Sequence, residues 1–423
     1  MIFPGGTENG LEIWRSLRFC KEITLFSASS DVPNHAPFVF SRHYVVPPVS
    51  DGKWVEAVNE LIGRLRIDYL YPANSFIIDA LIEDGHRLGA RAVMADPGVC
   101  SIARSKRRTH ELFSGRLPVP RLYAAAEEVG AYPVFVKPDS GYGGQGAGIA
   151  YDRAHLDLLI QRDPGLLIFE HLPGSEFTVD CFSARGRLLF CRGRERKRIR
   201  MGTSMRGVPA CEARNAGFRE VAERILERLP LEGAWFFQMK EDGRGRLNLL
   251  EVEPRIAGTM ALHRVRGINF PLLSIFLLEG HDISTLVNDC EVEIDRALVN
   301  RYRHALSYSS VYVDFDDTLV VHDRVNTQMA QFLFQEINRG TRLVLLSKSL
   351  PGGQDAALRR WRLQGLFDEV IWLDEGQSKA DFIRPEGAIF IDDSFSQRRE
   401  VHERHHIPTF DPSMLEMLID ERV

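Results

Sequence analysis

The chain's 423 residues allow roughly two to four compact units. Its composition, 44% hydrophobic and 26% charged with a net charge of −5, is that of a soluble globular protein and supplies no whole-chain field for nucleic acid or a membrane surface. The six cysteines (Cys20, Cys100, Cys181, Cys191, Cys211, Cys290) form no C-x-x-C pair, Met1-Ile-Phe-Pro has no leader-peptide pattern and no apolar run is long enough to span a bilayer, so a reduced, cytoplasmic chain is expected.

Strand and helix signals alternate over residues 1–98. Residues 1–4 read as a short strand, 5–10 as a turn, 11–18 as a helix and 23–26 as the next strand. Residues 51–66 carry a helical period through Trp54, Val55, Val58, Leu61, Ile62 and Leu65, and residues 68–73 are a strand entering a loop. That order predicts an α/β unit, a small βαβ domain with a parallel sheet, ending near Asp96-Pro97-Gly98.

Residues 133–151 read as a strand ending in Lys137, a glycine-rich loop (Gly141, Gly143, Gly144, Gln145, Gly146) and a second strand from Ala147. Backbone amides of such a loop donate to phosphate oxygens while the lysine neutralises them. The loop satisfies a dinucleotide fingerprint as a string, but that motif must open a helix, and here a strand follows. A phosphate loop with lysine after its last glycine is absent, because Ala147 follows Gly146. Taken alone, the stretch fits a nucleotide loop and an ordinary glycine hairpin equally. A lysine before the glycines, between two strands, resembles the ATP-grasp superfamily.

That resemblance extends on both sides. Ser105-Lys106 starts a helix ahead of a Leu117–Arg121 turn, where ATP-grasp enzymes carry a phosphate-binding lysine, so Lys106 takes that role by resemblance. Residues 166–182 form two strands joined by a turn and reproduce the family's E-x-x-x-G-x-E-x-x-V-D pattern. This implies Glu170, His171 and Leu172 at an adenine hinge and Glu176 on the ribose; two surface glutamates flanking a turn is the alternative. Residues 234–240 and 247–255 are two further strands, and alternation puts Glu251 and Glu253 on one face. Two such carboxylates repel unless a cation lies between them, and oxygen ligands suit Mg²⁺. The family pattern is a Gln or Asp followed by E-x-N-P-R. Gln238, Glu251 and Arg255 match it, whereas Glu253 replaces the usual Asn and is expected to share the metal.

The basic run Arg192–Arg200 is either a solvated face or a strand whose alternate cations enter an anionic site, with Arg194, Arg198 and Arg206 as the substrate-binding candidates. Residues 219–229 are an amphipathic helix that reads as core packing.

A second α/β pattern begins after a polar connector. Residues 309–313 are an apolar strand ending in Asp314, Asp316, Asp317 and Thr318. Residues 342–346 lead to Ser347, Lys379 lies on a helix, and residues 388–391 lead to Asp392 and Asp393. Polar residues at the carboxyl ends of parallel strands are placed for ligand binding. The order D-x-D-x-T, Ser, Lys, D-D resembles the haloacid-dehalogenase superfamily, here in a Rossmann-like form whose intervals leave no room for a large cap. The resemblance implies Asp314 as nucleophile, Asp316 as general acid and base, Ser347 and Lys379 on phosphoryl oxygens, and Asp314, Asp316 and Asp392 around Mg²⁺.

The expected organisation is a pre-ATP-grasp domain (1–98), an α+β ATP-grasp domain (99–290), a linker (291–308) and a phosphatase domain (309–423). The expected activity is a carboxylate–amine ligase with a Mg²⁺-dependent phosphatase, using ATP and Mg²⁺ or Mn²⁺. Its substrates are small carboxylates and amines, phosphorylated ones included, without nucleic acid or membrane; the ligase resemblance is compatible with a homodimer. A non-catalytic C-terminal binding module is the alternative.

Overall fold

The computed structural model describes residues 1–141, 144–288, 290–348 and 354–422. The chain divides into two compact units, Met1–Leu298 and Val299–Arg422.

The first unit opens with a parallel sheet in the order His43–Val45, Ser27–Ser29, Ile2–Phe3, Tyr69–Pro72, Arg91–Ala92. Strand alternation sends Phe3 and Leu70 to the cluster holding helix Trp54–Leu65, and Ile2 and Tyr71 to the cluster holding helix Glu8–Leu17. A sheet buried on both faces needs apolar residues in succession, which is what Ile2-Phe3 and Leu70-Tyr71 supply. Helix Ser75–Asp84 follows, with Asn74 as its N-cap.

Two antiparallel sheets complete this unit. The larger runs Leu247–Glu253, Gly233–Glu241, Glu176–Ala184, Arg187–Arg200, Thr203–Pro209, Ile294–Asp295. The smaller runs Leu122–Tyr123, Leu166–Glu170, Val134–Pro138, Gly148–Ala150. Helix Glu212–Leu226 covers one face of the larger sheet, packing Phe218, Ala222 and Ile225 on Phe177, Val179 and Cys181. Each fully buried aromatic or aliphatic side chain there contributes about 1.5–3 kcal/mol. Gly193 makes this contact possible, since a Cβ there would lie 2.3 Å from the Phe218 ring. On the opposite face, register aligns Glu251, Gln238, Thr178 and Arg194 in one cross-strand row.

The second unit is a parallel sheet in the order Glu369–Leu373, Arg342–Lys348, Ser310–Val313, Ala388–Ile391, Thr409–Phe410. A hairpin of Val320–Val321 and Arg324–Val325 follows the first of these strands in sequence, and helix Thr327–Arg339 then leads to Arg342–Lys348. No inserted cap domain lies in this unit among the described residues.

Several expectations need correction. The strand expected at residues 23–26 lies at Ser27–Ser29, because Ile23 and Leu25 are apolar for packing beneath helix Glu8–Leu17 rather than for pairing. The turn expected at residues 5–10 ends early: helix Glu8–Leu17 starts within it, with the Thr7 hydroxyl accepting from Gly10 N. The helix expected from residue 219 begins at Glu212. Lys379 lies on a single 3₁₀ turn, Lys379–Phe382.

The domain limits also shift. Asp96-Pro97 marks a helix start, with Asp96 as N-cap, and Ile78 and Ala95 share one core cluster with Phe177 and Trp235. The linker expected at 291–308 overlaps the first unit. Ile294–Asp295 pairs with Gly207 and Arg206, and that unit continues to Leu298.

Candidate functional site

The two antiparallel sheets of the first unit enclose a cavity of about 540 Å³. Strands Leu166–Glu170 and Glu176–Ala184 belong to different sheets, so the turn between them is the cavity's hinge. Phe135, Ile149, Phe169, Leu172 and Leu250 give it apolar walls, and Glu170 and His171 line it at the hinge. The backbone N–H of Arg121 donates to Glu170 Oε2, and burial lowers the pKa of His171.

Lys137 leaves its strand into this cavity. Its ammonium donates to Leu250 O at 3.2 Å and sits 4.8 Å from the Phe169 ring centroid. Burial drives its pKa down to about 8, against the opposing pull of Glu251. Lys106 reaches the same cavity because Asp139 ties its helix to the loop: the Ser105 hydroxyl and Arg107 N–H donate to the Asp139 carboxylate. Lys106 Nζ donates to Asp139 O at 3.3 Å.

The loop glycines are used for conformation. Gly144 and Gly146 have φ of +69° and +71°, and a Cβ on Gly146 would lie 2.8 Å from Pro138 Cγ. Gly144 and Gln145 line the cavity, while Gly143 lies outside the described residues.

Glu251 lies opposite Gln238 on the neighbouring strand. Burial alone would raise its pKa, but Lys106, Lys137, Arg196 and Arg255 outweigh that and hold it below the usual carboxylate range. A deprotonated carboxylate beside an amide oxygen fits a Mg²⁺ ion that also takes phosphate oxygens.

Glu253, expected to share that ion, accepts from three side chains. Arg104 Nη1 donates to its Oε1 at 2.8 Å, while Arg255 Nε and the Ser75 hydroxyl donate to its Oε2 at 3.1 and 3.2 Å. Two guanidinium groups supply its counter-charge. Arg255 also donates to Ser75 Oγ and lies over the Phe236 ring, so it lines the cavity in a fixed orientation.

Glu176 is bound by Arg196 and receives Lys240 Nζ at 3.4 Å. Of the basic-run candidates, Arg194 lines the cavity and pairs with buried Asp180 at 2.8 Å. Arg198 and Arg206 are half exposed and pair with Asp295 and Glu293 at the sheet edge, so they are not in the cavity. Register shifts on either side of Arg198 break the alternation that would have turned it inward. Sequence reasoning missed Arg104, Arg196 and Ser75. Alternation along the basic run carried a signal for Arg196 only.

In the second unit, Val313 pairs with both Leu345 and Ile391, which brings Asp314, Ser347 and Asp392 to one carboxyl edge. Lys379 Nζ donates to Asp314 and to Asp392 at 2.5 Å each. Burial pushes the Lys379 pKa down, but those two carboxylates outweigh it and raise it. Burial and Asp314 raise the pKa of Asp392; burial, then Asp314 and Asp317, raise that of Asp316. Asp316 is exposed at the mouth of the site, and Ser347 is buried. Carboxylate oxygens of Asp314, Asp392 and Asp393 lie within 4.8 Å of one another, an oxygen set that fits Mg²⁺. Asp393, which the sequence reading left without a role, is held by the Thr318 hydroxyl.

Comparison with known proteins bears on the first unit. Residues 162–298 match a family described as an ATP-grasp in the biosynthetic pathway with Ter operon. No curated protein matches by sequence. Among solved structures, N5-carboxyaminoimidazole synthetase from Staphylococcus aureus, complexed with ADP, has a TM-score of 0.55 at 17% identity, covering 68% of this chain and 78% of that one. The biotin carboxylase domain of 2-oxoglutarate carboxylase from Hydrogenobacter thermophilus, in complex with MgADP and bicarbonate, has 0.54 at 14%, covering 65% and 68%. L-amino acid ligase from Bacillus licheniformis has 0.50 at 17%, covering 64% and 71%. The chain has the ATP-grasp fold, with a parallel sheet preceding two antiparallel ones. No helix among the described residues is long and apolar enough to cross a membrane.

Proposed function

We propose that residues 1–298 form an ATP-dependent, ADP-forming ligase that joins a carboxylate to an amine. The observation that carries this reading is the convergence of Lys106, Lys137, Glu251 and Arg255 on one cavity between the two antiparallel sheets. The apolar walls suit a base, with hinge backbone groups for its edge and Glu176 for the ribose. The Lys106 and Lys137 ammonium groups take phosphate oxygens, and Arg255 faces the transferring group. Glu251 and Gln238 would hold Mg²⁺, or Mn²⁺, which when bound neutralises phosphate charge.

The γ-phosphoryl group passes to a carboxylate oxygen, giving an acyl phosphate and ADP. The amine attacks the acyl carbon, phosphate leaves, and the amine gives up a proton. Catalysis here is positioning and electrostatics, and excluding water from the cavity protects the acyl phosphate. ADP formation that requires an acid and an amine together tests the proposal.

For residues 299–422 we propose a Mg²⁺-dependent phosphatase of haloacid-dehalogenase type. This reading rests on the unit's own geometry, above all the Lys379 ammonium bridging Asp314 and Asp392 beside Asp316. Asp314 attacks phosphorus to give an aspartyl phosphate while Asp316 protonates the leaving oxygen; Asp316 then takes a proton from the attacking water. Lys379 and Ser347 hold the phosphoryl oxygens. Asp314, Asp392 and Asp393 would hold the metal, which supplies charge neutralisation. A site with no inserted cap among the described residues admits a large substrate, and fusion of the two units fits action on one phosphorylated metabolite. Phosphate release from p-nitrophenyl phosphate, acetyl phosphate or sugar phosphates, lost in Asp314→Asn, tests this reading. Its absence favours a non-catalytic binding module.

A further inference from the structure

In the parallel sheet of the first unit, strand order reverses beside Ile2–Phe3. Ser27–Ser29 and His43–Val45 lie to one side of it, and Tyr69–Pro72 and Arg91–Ala92 to the other. At such a reversal the loops after the two central strands diverge and leave a crevice at their carboxyl ends, where α/β sheets bind ligands. Here the segment after Ile2–Phe3 supplies Thr7, Glu8 and Asn9 to the ligase cavity, and the segment after Tyr69–Pro72 supplies Asn74 and Ser75. Lys106, Lys137, Glu251 and Arg255 all come from other segments.

One further segment reaches this crevice. Arg296 follows strand Ile294–Asp295, has its backbone N–H on Met205 O at 2.9 Å, and lines the cavity. Its Nη2 donates to Glu8 Oε2 at 2.8 Å. The guanidinium and Asn9 converge on one point. A Cβ on Gly258 would lie 3.0 Å from Arg296 Nη2, 3.2 Å from Nη1 and 3.2 Å from Asn9 Oδ1. The bare Cα of Gly258 therefore leaves that space to polar atoms of two other segments. Gly258 follows Arg255 by three residues, which limits the separation of their Cα atoms to about 11 Å.

The chemistry of the cluster selects its ligand. Glu8 is 57% exposed and Arg296 21%, and an exposed ion pair adds little to stability, so both charges can be turned to a ligand at small cost. A guanidinium takes a carboxylate, a carboxylate takes an ammonium group, and the Asn9 amide can donate or accept. One cation and one anion side by side match a small molecule that carries both charges close together. A diacid would meet repulsion from Glu8, and a diamine from Arg296.

We propose that Glu8, Asn9 and Arg296 form the amine subsite of the ligase and bind an α-amino acid as its zwitterion, with Arg296 on the carboxylate and Glu8 on the ammonium group. The assignment rests on the ligase reading of the cavity. With its carboxylate held by Arg296, the amino acid takes part through its nitrogen and not as the acid that is phosphorylated.

The test uses the full chain saturated with the magnesium complex of a non-hydrolysable ATP analogue. Each standard amino acid is titrated by calorimetry beside its α-amide, which lacks the carboxylate, and its N-acetyl derivative, which lacks the ammonium group. At least one amino acid is expected to bind, with both derivatives at least tenfold weaker. Arg296→Gln should weaken that amino acid at least tenfold and abolish its advantage over the amide. Glu8→Gln should abolish its advantage over the N-acetyl form, and Asn9→Ala should weaken it at least threefold. The analogue's Kd should move less than twofold throughout. The double variant Glu8→Arg, Arg296→Glu keeps an ion pair between the two segments with its charges exchanged, so it would restore a purely structural tie but should not recover amino-acid affinity. Full recovery there, equal binding of amino acid and amide, equal binding in all variants, or no amino-acid binding overturns the subsite and leaves the ATP site in place. Amino-acid binding that depends on Arg296, with no ADP formed from any acid and amine, overturns the ligase reading and retains the zwitterion site. If the analogue does not bind, the same titrations on nucleotide-free protein decide the site by the same criteria.

Discussion

Arg104 and Glu253 form an ion pair at 2.8 Å in which each side chain is 5% exposed, so a residue of the second strand of the carboxylate pair is locked to a helix of the preceding segment. Asp79 at 2.9 Å, Arg255 and Ser75 extend the lock from helix Ser75–Asp84 to the cavity wall. The arrangement makes Glu253 an anchor for Arg255.

Removing one partner of a buried ion pair leaves an uncompensated charge, typically a loss of about 3 kcal/mol or more. Glu253→Gln should lower stability by about that amount in urea unfolding. It should leave the Mg²⁺ concentration for half-maximal ADP formation within about threefold of wild type, whereas Glu251→Gln raises it more than tenfold. A raised Mg²⁺ requirement in Glu253→Gln without loss of stability would restore Glu253 as a metal ligand.

Lys137 supplies a pH dependence. With its pKa at about 8 in the free protein, it is charged below that pH and neutral above it. Bound triphosphate stabilises the charged form and raises the pKa, so binding above pH 8 takes up a proton. ATP affinity should therefore fall by up to tenfold per pH unit above about 8, with proton uptake visible as buffer-dependent calorimetric heat. Lys137→Met should bind ATP more weakly at pH 7 and lose this slope. A flat profile in wild type would mean that Lys137 does not meet the phosphates.

In the second unit, the raised pKa of Asp316 suits a proton donor. Asp316→Asn should cut hydrolysis of sugar phosphates by about 10²–10⁴, and that of p-nitrophenyl phosphate much less, because nitrophenolate leaves unprotonated. For the sugar phosphates, kcat should fall as pH rises through the Asp316 pKa. Equal losses on both substrates would assign Asp316 to positioning instead.

The sequence made some of this legible. Strand–loop–strand patterning around Lys137 and alternation through Glu251 pointed to the cavity, because local periodicity decides which face a strand residue takes. That Asp314, Ser347 and Asp392 share one carboxyl edge was legible from their places just after apolar strands of a parallel sheet. Other features depended on distant partners. Arg104 meets Glu253 across 149 residues, and nothing local to either distinguishes that pair from surface charge. Arg198 was misplaced because the register shifts beside it have no sequence signature that alternation could read. The Ile294–Asp295 strand is too short for any period, and Ile23 and Leu25 are apolar for packing without pairing.

The central claim is that the first unit couples ATP cleavage to joining an acid and an amine. It is tested most directly by ADP formation in Asp314→Asn protein, in which the phosphatase proposed for the second unit would be silent. Pools of carboxylates and amines are supplied with MgATP. ADP that appears only when acid and amine are both present, and disappears in Lys137→Met, is the predicted result. ADP formed at the same rate with neither acid nor amine present, or unaffected by Lys137→Met, would contradict the account.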